Sequence, residues 1–308
     1  MTKTARDIRL TEQRNPRTQQ IDMASPREIV DLINAEDALV AGAVAAVAGE
    51  VTRALELAEA AFRSGGRLIY AGAGTSGRLG VLDATECPPT FGSPPEMVQG
   101  IIAGGDAALR RSVEGAEDKP GDARDAIRLL TVGASDFVLG IAASGTTPYV
   151  RAALEAARQA GARTGFLTCS APPDGIRELC DVCIVAAVGP EVVTGSTRMK
   201  AGTATKMILN IITTGAMIRL GKVYGNLMVD LRAWNEKLRD RSERIVMETA
   251  GLDRPAARAV IDGAGGGVKL AIVMARRHVG RDEAERLLLE HDGRLRAIVG
   301  DPPPMAAS

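Results

Sequence analysis

The chain has 308 residues, 45% hydrophobic and 25% charged, which suits a globular protein with one good core and room for a smaller helical domain. Lysine plus arginine equals aspartate plus glutamate, 38 against 38, so no global field draws it to nucleic acid or to an anionic membrane surface. Two histidines, His278 and His291, with no H-E-x-x-H, and four cysteines argue against metal catalysis, a Ser-His-Asp triad or a disulfide framework.

The opening "MTKTARDIRLTEQRNPR" lacks the apolar core of a signal peptide, and the expectation is a cytoplasmic protein. An alanine-rich stretch, "ALVAGAVAAVAGEVTRALELAEAAFRSGG", has a helical pattern and closes on Gly65-Gly66. Five strand-like runs follow: "RLIYAG", "MVQGIIAGG", "DFVLGIAAS", "RTGFLTC" and "VCIVAAV". Helix-sized intervals separate them, which predicts a parallel sheet covered on both faces. From Ser196 onward the pattern is helical, through "RMKAGTATKMILNIITTGAMIRLG", "LRAWNEKLRDRSERIVMETA" and "RDEAERLLLEHDGRLRAIVG". Within it, "MILNIITTGAMI" is too short to span a bilayer. The glycines of "DGAGGGVKLAIVM" read as a helix–helix turn. These shifts divide the chain into an N-terminal helical segment over 1–53, a sheet domain over 54–222 and a C-terminal helical domain over 223–308.

The first strand runs into "YAGAGTSGRLG", where Gly72, Gly74 and Gly77 spell G-x-G-x-x-G. A dinucleotide cradle needs an unbroken helix after its glycines and an acid at the end of the second strand. Here the crossover contains "ECPPTFGSPP", whose four prolines are expected to interrupt any helix, and the second strand ends in Gly104-Gly105 with Asp106 only beyond. No G-x-x-x-x-G-K-[ST] is present either. What the loop offers is Gly74, Thr75 and Ser76 at a strand's carboxyl end, where backbone amides and the helix dipole favour an anion. Ser144, Gly145, Thr146 and Thr147 repeat the design ahead of Pro148, and Thr194, Ser196 and Thr197 do so beside Arg198 and Lys200. Singly, each such loop reads as a helix N-cap. Three on one sheet edge point to an anion or polyol site, and with 3% aromatic residues a phosphorylated sugar suits it better than a nucleotide.

Other polar positions have two readings each. Cys180 and Cys183 form C-x-x-C, but they lead into a β-rich run and no second pair completes a zinc site, so buried or half-buried thiols are expected. Cys87 precedes a proline, so a helix should stop near Glu86. Glu114, Glu117 and Asp118 crowd together, either as a solvated face or as a cluster whose repulsion raises one pKa. Arg78 decorates a helix start or meets a substrate carboxylate. Lys200 and Lys206 are six apart and share no face, so at least one is expected in solvent.

"GAGTSGRLGVLDATECPPTFG", "EGAED", "GIAASGTTPYV" and "VVTGSTRMKAGTATKMILN" resemble the N-acetylmuramic acid 6-phosphate etherases, bacterial SIS-domain (sugar isomerase) enzymes of peptidoglycan recycling. The resemblance covers almost the whole chain, beginning at "TEQRNPRTQQIDMASPREIVDLINAED". Between Gly145 and Thr147 that family often carries a basic residue, and Thr146 stands there instead. The resemblance implies an α/β fold, a flavodoxin-like αβα sandwich over 54–222 that binds a phosphosugar and pairs as a homodimer. It implies removal of a D-lactyl ether from carbon 3 by elimination and hydration, with no metal or organic cofactor. It places the two catalytic glutamates on Glu86, the proton donor, and Glu117, the base, with roles able to exchange between half-reactions. His291 then reads as a ring-opening group or as an exposed helix end. Two rival readings share the fold: a phosphosugar aldose–ketose isomerase, and a non-catalytic phosphosugar sensor. Glu86 and Glu117 together separate the etherase from both.

Overall fold

The computed structural model describes residues 9–231 and 236–304. The chain divides into two compact units, Met1–Thr85 with Glu96–Thr213, and Glu86–Pro95 with Thr214–Ser308.

In the first unit, Ser25 caps α1 (Pro26–Asp37) through a reciprocal bond with Glu28, the S-x-x-E capping box written in "SPRE". Two further helices, α2 (Val40–Ala45) and α3 (Ala48–Arg63), account for the alanine-rich stretch. α3 buries Val51, Ala54, Leu57, Ala58, Ala61 and Phe62 at helical spacing. It ends where the Gly66 amide reaches back to the Ala61 carbonyl at 2.8 Å. Then come β1 (Leu68–Gly72), α4 (Gly74–Phe91), β2 (Val98–Ile102), a single turn α5 (Ala107–Arg110) and α6 (Pro120–Leu129). β3 (Phe137–Ile141), α7 (Pro148–Gln159), β4 (Arg163–Thr168), β5 (Val182–Val185) and α8 (Lys200–Arg219) complete the order. All five strands fall where the apolar runs put them. They pair in parallel in the order β2-β1-β3-β4-β5.

Alternate strand residues serve two helical layers. Ile69, Ala71, Val138 and Phe166 join Ile127, Tyr149, Val150 and Leu154 of α6 and α7 in one core. Leu68, Tyr70, Leu139 and Leu167, on the opposite face, are buried as well, and α4 seats Gly80 on Tyr70. This is the expected αβα sandwich.

The second unit contains a ribbon, β6 (Val223–Tyr224) and β7 (Leu227–Met228), then α9 (Glu236–Ala250), α10 (Arg254–Gly263), α11 (Val268–Arg277), α12 (Arg281–Glu290) and α13 (Leu295–Val299). Tyr224, Val229, Ile245, Val246, Ile272 and Val273 are among the residues that form its core. The ribbon corrects the all-helical reading of this region: Gly225-Asn226 is a two-residue turn between β-formers. Residues 232–235 of the predicted "LRAWNEK" helix start lie outside the described residues.

A second correction concerns the prolines. α4 does not stop near Glu86 but runs through Pro88 and Pro89 to Phe91. Those rings forfeit two backbone donors. Keeping the turn places Cys87 and Phe91 one above the other, both buried. The helix ends instead at Gly92, whose φ of +60° an L side chain rarely adopts and whose amide closes on the Pro88 carbonyl at 2.9 Å.

Gly66 tests how tightly α3 hands over to β1. A methyl group added there would sit 2.0 Å from the Ser135 carbonyl oxygen, a backbone atom that has little freedom to yield. Gly66→Ala is expected to lower the urea-unfolding free energy by about 2–3 kcal/mol. Gly49→Ala, on the exposed side of α3 with nothing within 4 Å, should be neutral or stabilising.

Candidate active site

In a 2-1-3-4-5 sheet the chain leaves β1 towards one edge and returns through β3 towards the other, so the loops after these two strands diverge and leave a crevice at their carboxyl ends. The strands end level, Gly72 being paired with both Ile102 and Ile141. After β1, a Cβ on Gly72 would lie 2.6 Å from the Gly77 nitrogen, and one on Gly77 the same distance from Ile102. The first and third glycines of G-x-G-x-x-G therefore let helix and sheet close up, a role independent of any nucleotide. Thr75 and Ser76 are left half-buried at the start of α4.

After β3, Gly145 turns the chain with its amide on the Ala142 carbonyl, and Ser144 and Thr146 share a hydrogen bond between hydroxyls 3.3 Å apart. Thr147 occupies the N-cap of α7, yet its side chain makes no capping bond. The simple capping reading thus leaves this hydroxyl unspent.

The third loop is built differently. Glu191, which the sequence reading missed, accepts the Lys200 and Ala201 amides at 3.0 and 2.9 Å and so fills the start of α8 with a carboxylate. Burial holds the Glu191 pKa above the usual carboxylate range, against those two bonds. Lys200 is wholly buried, its Nζ donating to Glu36 at 2.6 Å and to the Val188 carbonyl at 2.9 Å, while Lys206 is exposed. The other Glu36 oxygen takes the Arg17 guanidinium. Around this pair the N-terminal segment straps the loop down. Thr18 Oγ1 donates to the Val192 carbonyl at 2.8 Å, Asn15 Nδ2 to Pro190 at 3.3 Å, and the Gly195 amide to Thr11 at 3.0 Å. Ser196 sits half-buried in the loop so held. At the helix start, a Cβ on Gly202 would meet Thr75 at 3.6 Å, so the first and third loops adjoin. Deeper, Asp83 of α4 accepts from Tyr70, Asn210 and Thr213 at 2.8, 2.6 and 3.2 Å, which locks α4 to the sheet and to α8. Burial raises its pKa in spite of those donors.

Glu117 lies in a 3-10 turn, Ala116–Asp118, between β2 and α6, and is exposed. It opens onto a cleft of about 150 Å³ that Gly74, Arg78, Ser112 and Glu114 also line. Glu114 accepts from the Ser112 hydroxyl at 3.2 Å. Gly74 and Glu117, apart in sequence, thus share one cleft. Glu86 belongs to the other unit and is exposed on α4. His291 is an exposed residue ending α12. Cys87 and Cys169 are buried and Cys180 and Cys183 half-buried, as expected for unreactive thiols, and burial pushes the Cys180 thiol up to about 12. Among the described residues no single helix is long and apolar enough to cross a membrane.

A family model, the glucokinase regulatory protein N-terminal SIS domain, matches residues 47–158. The chain is 54% identical to the N-acetylmuramic acid 6-phosphate etherase of Synechococcus elongatus, over 94% of each chain. It is 51% identical to the protein of the same name in Rhodopirellula baltica, over 95% of this chain and 96% of the relative. The Edwardsiella ictaluri etherase is likewise 51% identical, over 96% and 98%.

The strap makes acid stability report on one carboxylate. Arg17 first, and Lys200 with it, hold Glu36 at about 2, below its ordinary 4.5. A depressed carboxylate stabilises the fold above its unfolded pKa and loses that contribution as pH falls through the folded value. The window is therefore pH 4.5 to 2, and about 2–3 kcal/mol is at stake once the exposure of Arg17 is allowed for. Glu191, with its raised pKa, titrates in the opposite sense. Unfolding followed from pH 5 to 2 should accordingly fall more steeply in the wild type than in Glu36→Gln, and equal slopes would remove the assignment.

Proposed function

The chain belongs to the N-acetylmuramic acid 6-phosphate etherase family, and from that premise we propose how its residues carry the reaction. The protein is a carbon–oxygen lyase that removes the D-lactyl ether from carbon 3 of N-acetylmuramic acid 6-phosphate, leaving N-acetylglucosamine 6-phosphate. An unactivated ether resists hydrolysis. In the open-chain sugar, however, the aldehyde acidifies the proton on carbon 2, so a base there and an acid at the lactyl oxygen permit elimination, and water then adds to the unsaturated aldehyde. Two proton-transfer groups suffice, and carboxyl groups can supply both.

In our reading Glu117 is the base that takes the carbon 2 proton, and Glu86 is the acid that protonates the departing lactate oxygen. The roles reverse for hydration. Ser144, Gly145, Thr146 and Thr147 take the 6-phosphate at the start of α7, where amides and an unspent hydroxyl converge. With Thr146 in place of a basic residue, the phosphate is held by neutral donors. Gly74, Thr75, Ser76 and Ser196 complete the sugar's contacts across the crevice. The observation that supports Glu117 in this reading is the cleft it shares with Gly74, between the chain leaving β1 and the chain leaving β2. In this reading residues 54–222 serve as the phosphosugar-binding domain. We place the enzyme in the cytoplasm, as a homodimer, within cell-wall recycling and amino-sugar catabolism.

Purified protein should release D-lactate from N-acetylmuramic acid 6-phosphate. Heavy-oxygen water should label carbon 3 of the sugar and leave the lactate unlabelled, while deuterated water should place deuterium on carbon 2. Label in the lactate, or a carbon 2 that keeps its proton, would rule out elimination. Glu86→Ala should abolish lactate release while phosphosugar binding survives, and full activity in that variant would exclude Glu86 as the acid.

A further inference from the structure

Glu117 reaches its cleft on a long connection, Ala103–Lys119, that has only α5 and one 3-10 turn as regular structure. Its inner side is fixed by packing. A Cβ on Gly104 would meet the β-carbons of Val113, Ala108 and Ala116 at 3.1, 3.2 and 3.3 Å, so the connection folds around that glycine, with Ala108 and Ala116 buried. The outer side has no such core: Arg110, Arg111, Ser112, Val113 and Glu114 are all exposed.

One side chain from outside the connection grips that outer side. Arg78 of α4 donates from Nε to the Leu109 carbonyl at 3.3 Å and from Nη2 to the Arg111 carbonyl at 3.4 Å. The planar fork spans two carbonyls across one residue, which an ammonium cannot do. Arg78 is half-buried, lines the same cleft as Glu117, and among the described residues has no carboxylate within ion-pair distance. Its charge is not consumed by an acid, and its donors are directed at backbone.

We propose that Arg78 is a positioning residue, a tether from α4 that fixes the outer side of the connection and so sets where Glu117 stands in the cleft. The proposal rests on the reading of Glu117 as the base. A proton transfer tolerates little misplacement, and an error of an ångström can cost about a hundredfold in rate. A tether acts on kcat, whereas a group that touches the substrate acts on its binding.

The test compares Arg78→Met, which keeps the stem and removes every donor, with Arg78→Lys, which reaches one carbonyl only. Three quantities are read: amide hydrogen exchange over residues 109–118 without substrate, kcat and KM for lactate release, and inhibition by N-acetylglucosamine 6-phosphate, which has the phosphate and no lactyl group. The tether predicts faster exchange in that stretch for Arg78→Met and a kcat lower by about tenfold or more. KM and product inhibition should stay within about threefold, with Arg78→Lys intermediate. Unchanged exchange overturns the tether whatever the activity. A KM that rises alone, with product inhibition intact, overturns it in favour of direct contact with the lactyl carboxylate, and weakening of both ligands overturns it in favour of a phosphate contact. If the connection loosens in Arg78→Met but Glu117→Gln is fully active, Glu117 is not the base and the positioning role falls with it. Wild-type protein that releases no lactate would instead strike at the etherase reading.

Discussion

The close approach of α4 to the end of β1 is the constraint on which the carboxyl edge depends. Two glycines make it possible, because any side chain at Gly72 or Gly77 would occupy space already filled by backbone or by Ile102. With the helix pressed against the strand, Gly74, Thr75 and Ser76 stand at the mouth of the β1/β3 crevice, and Tyr70 can reach Asp83 one layer above. Asp83 in turn accepts from Asn210 and Thr213, which ties the first part of α4 to α8 within the sheet unit. A motif normally associated with nucleotides is used here for packing.

Charge at this edge is distributed with economy. The start of α8 is closed by Glu191 and its buried lysine is answered by Glu36, so the third loop offers hydroxyls and shape without an open helix terminus. The start of α7 has no such carboxylate against it, and the Thr147 side chain makes no capping bond there. A buried ion pair is weak evidence for stability, because desolvation offsets much of the attraction. Glu36 joins Arg17 of the N-terminal segment and Lys200 at the start of α8 through its two oxygens.

The sheet and its order of elements were legible because a parallel sheet buried on both faces writes each strand as a continuous apolar run, and five such runs stood out between helix-sized gaps. The hydroxyl loops stood out because serine, threonine and glycine recur at three strand ends, although each loop alone reads as a helix N-cap. Glu86 and Glu117 were singled out by resemblance, since a charged residue on a solvated face has no local signature. Asp83, Glu36 and Glu191 were not legible at all. Their partners lie 9 to 164 residues away, and nothing in "DATE", "AEDA" or "GPEV" distinguishes a buried acid from an exposed one. The prolines of "ECPP" misled for a related reason: a local rule about helix breaking was outweighed by the burial of Cys87 and Phe91, which is a tertiary matter.

The strap over the third loop also orders events in time. Thr18 and Val192 are 174 residues apart, Asn15 and Pro190 are 175 apart, and Glu36 and Lys200 are 164 apart. At ordinary rates of synthesis the first of each pair leaves the ribosome roughly 8–35 s before the second. Through that interval Glu36 has only Arg17 to answer it, and the segment around Thr11–Thr18 has no surface to close upon. Contacts of such long range are also the slowest to form in a free chain. The loop at Ser196 therefore closes only when chain made long before it comes back to cover it.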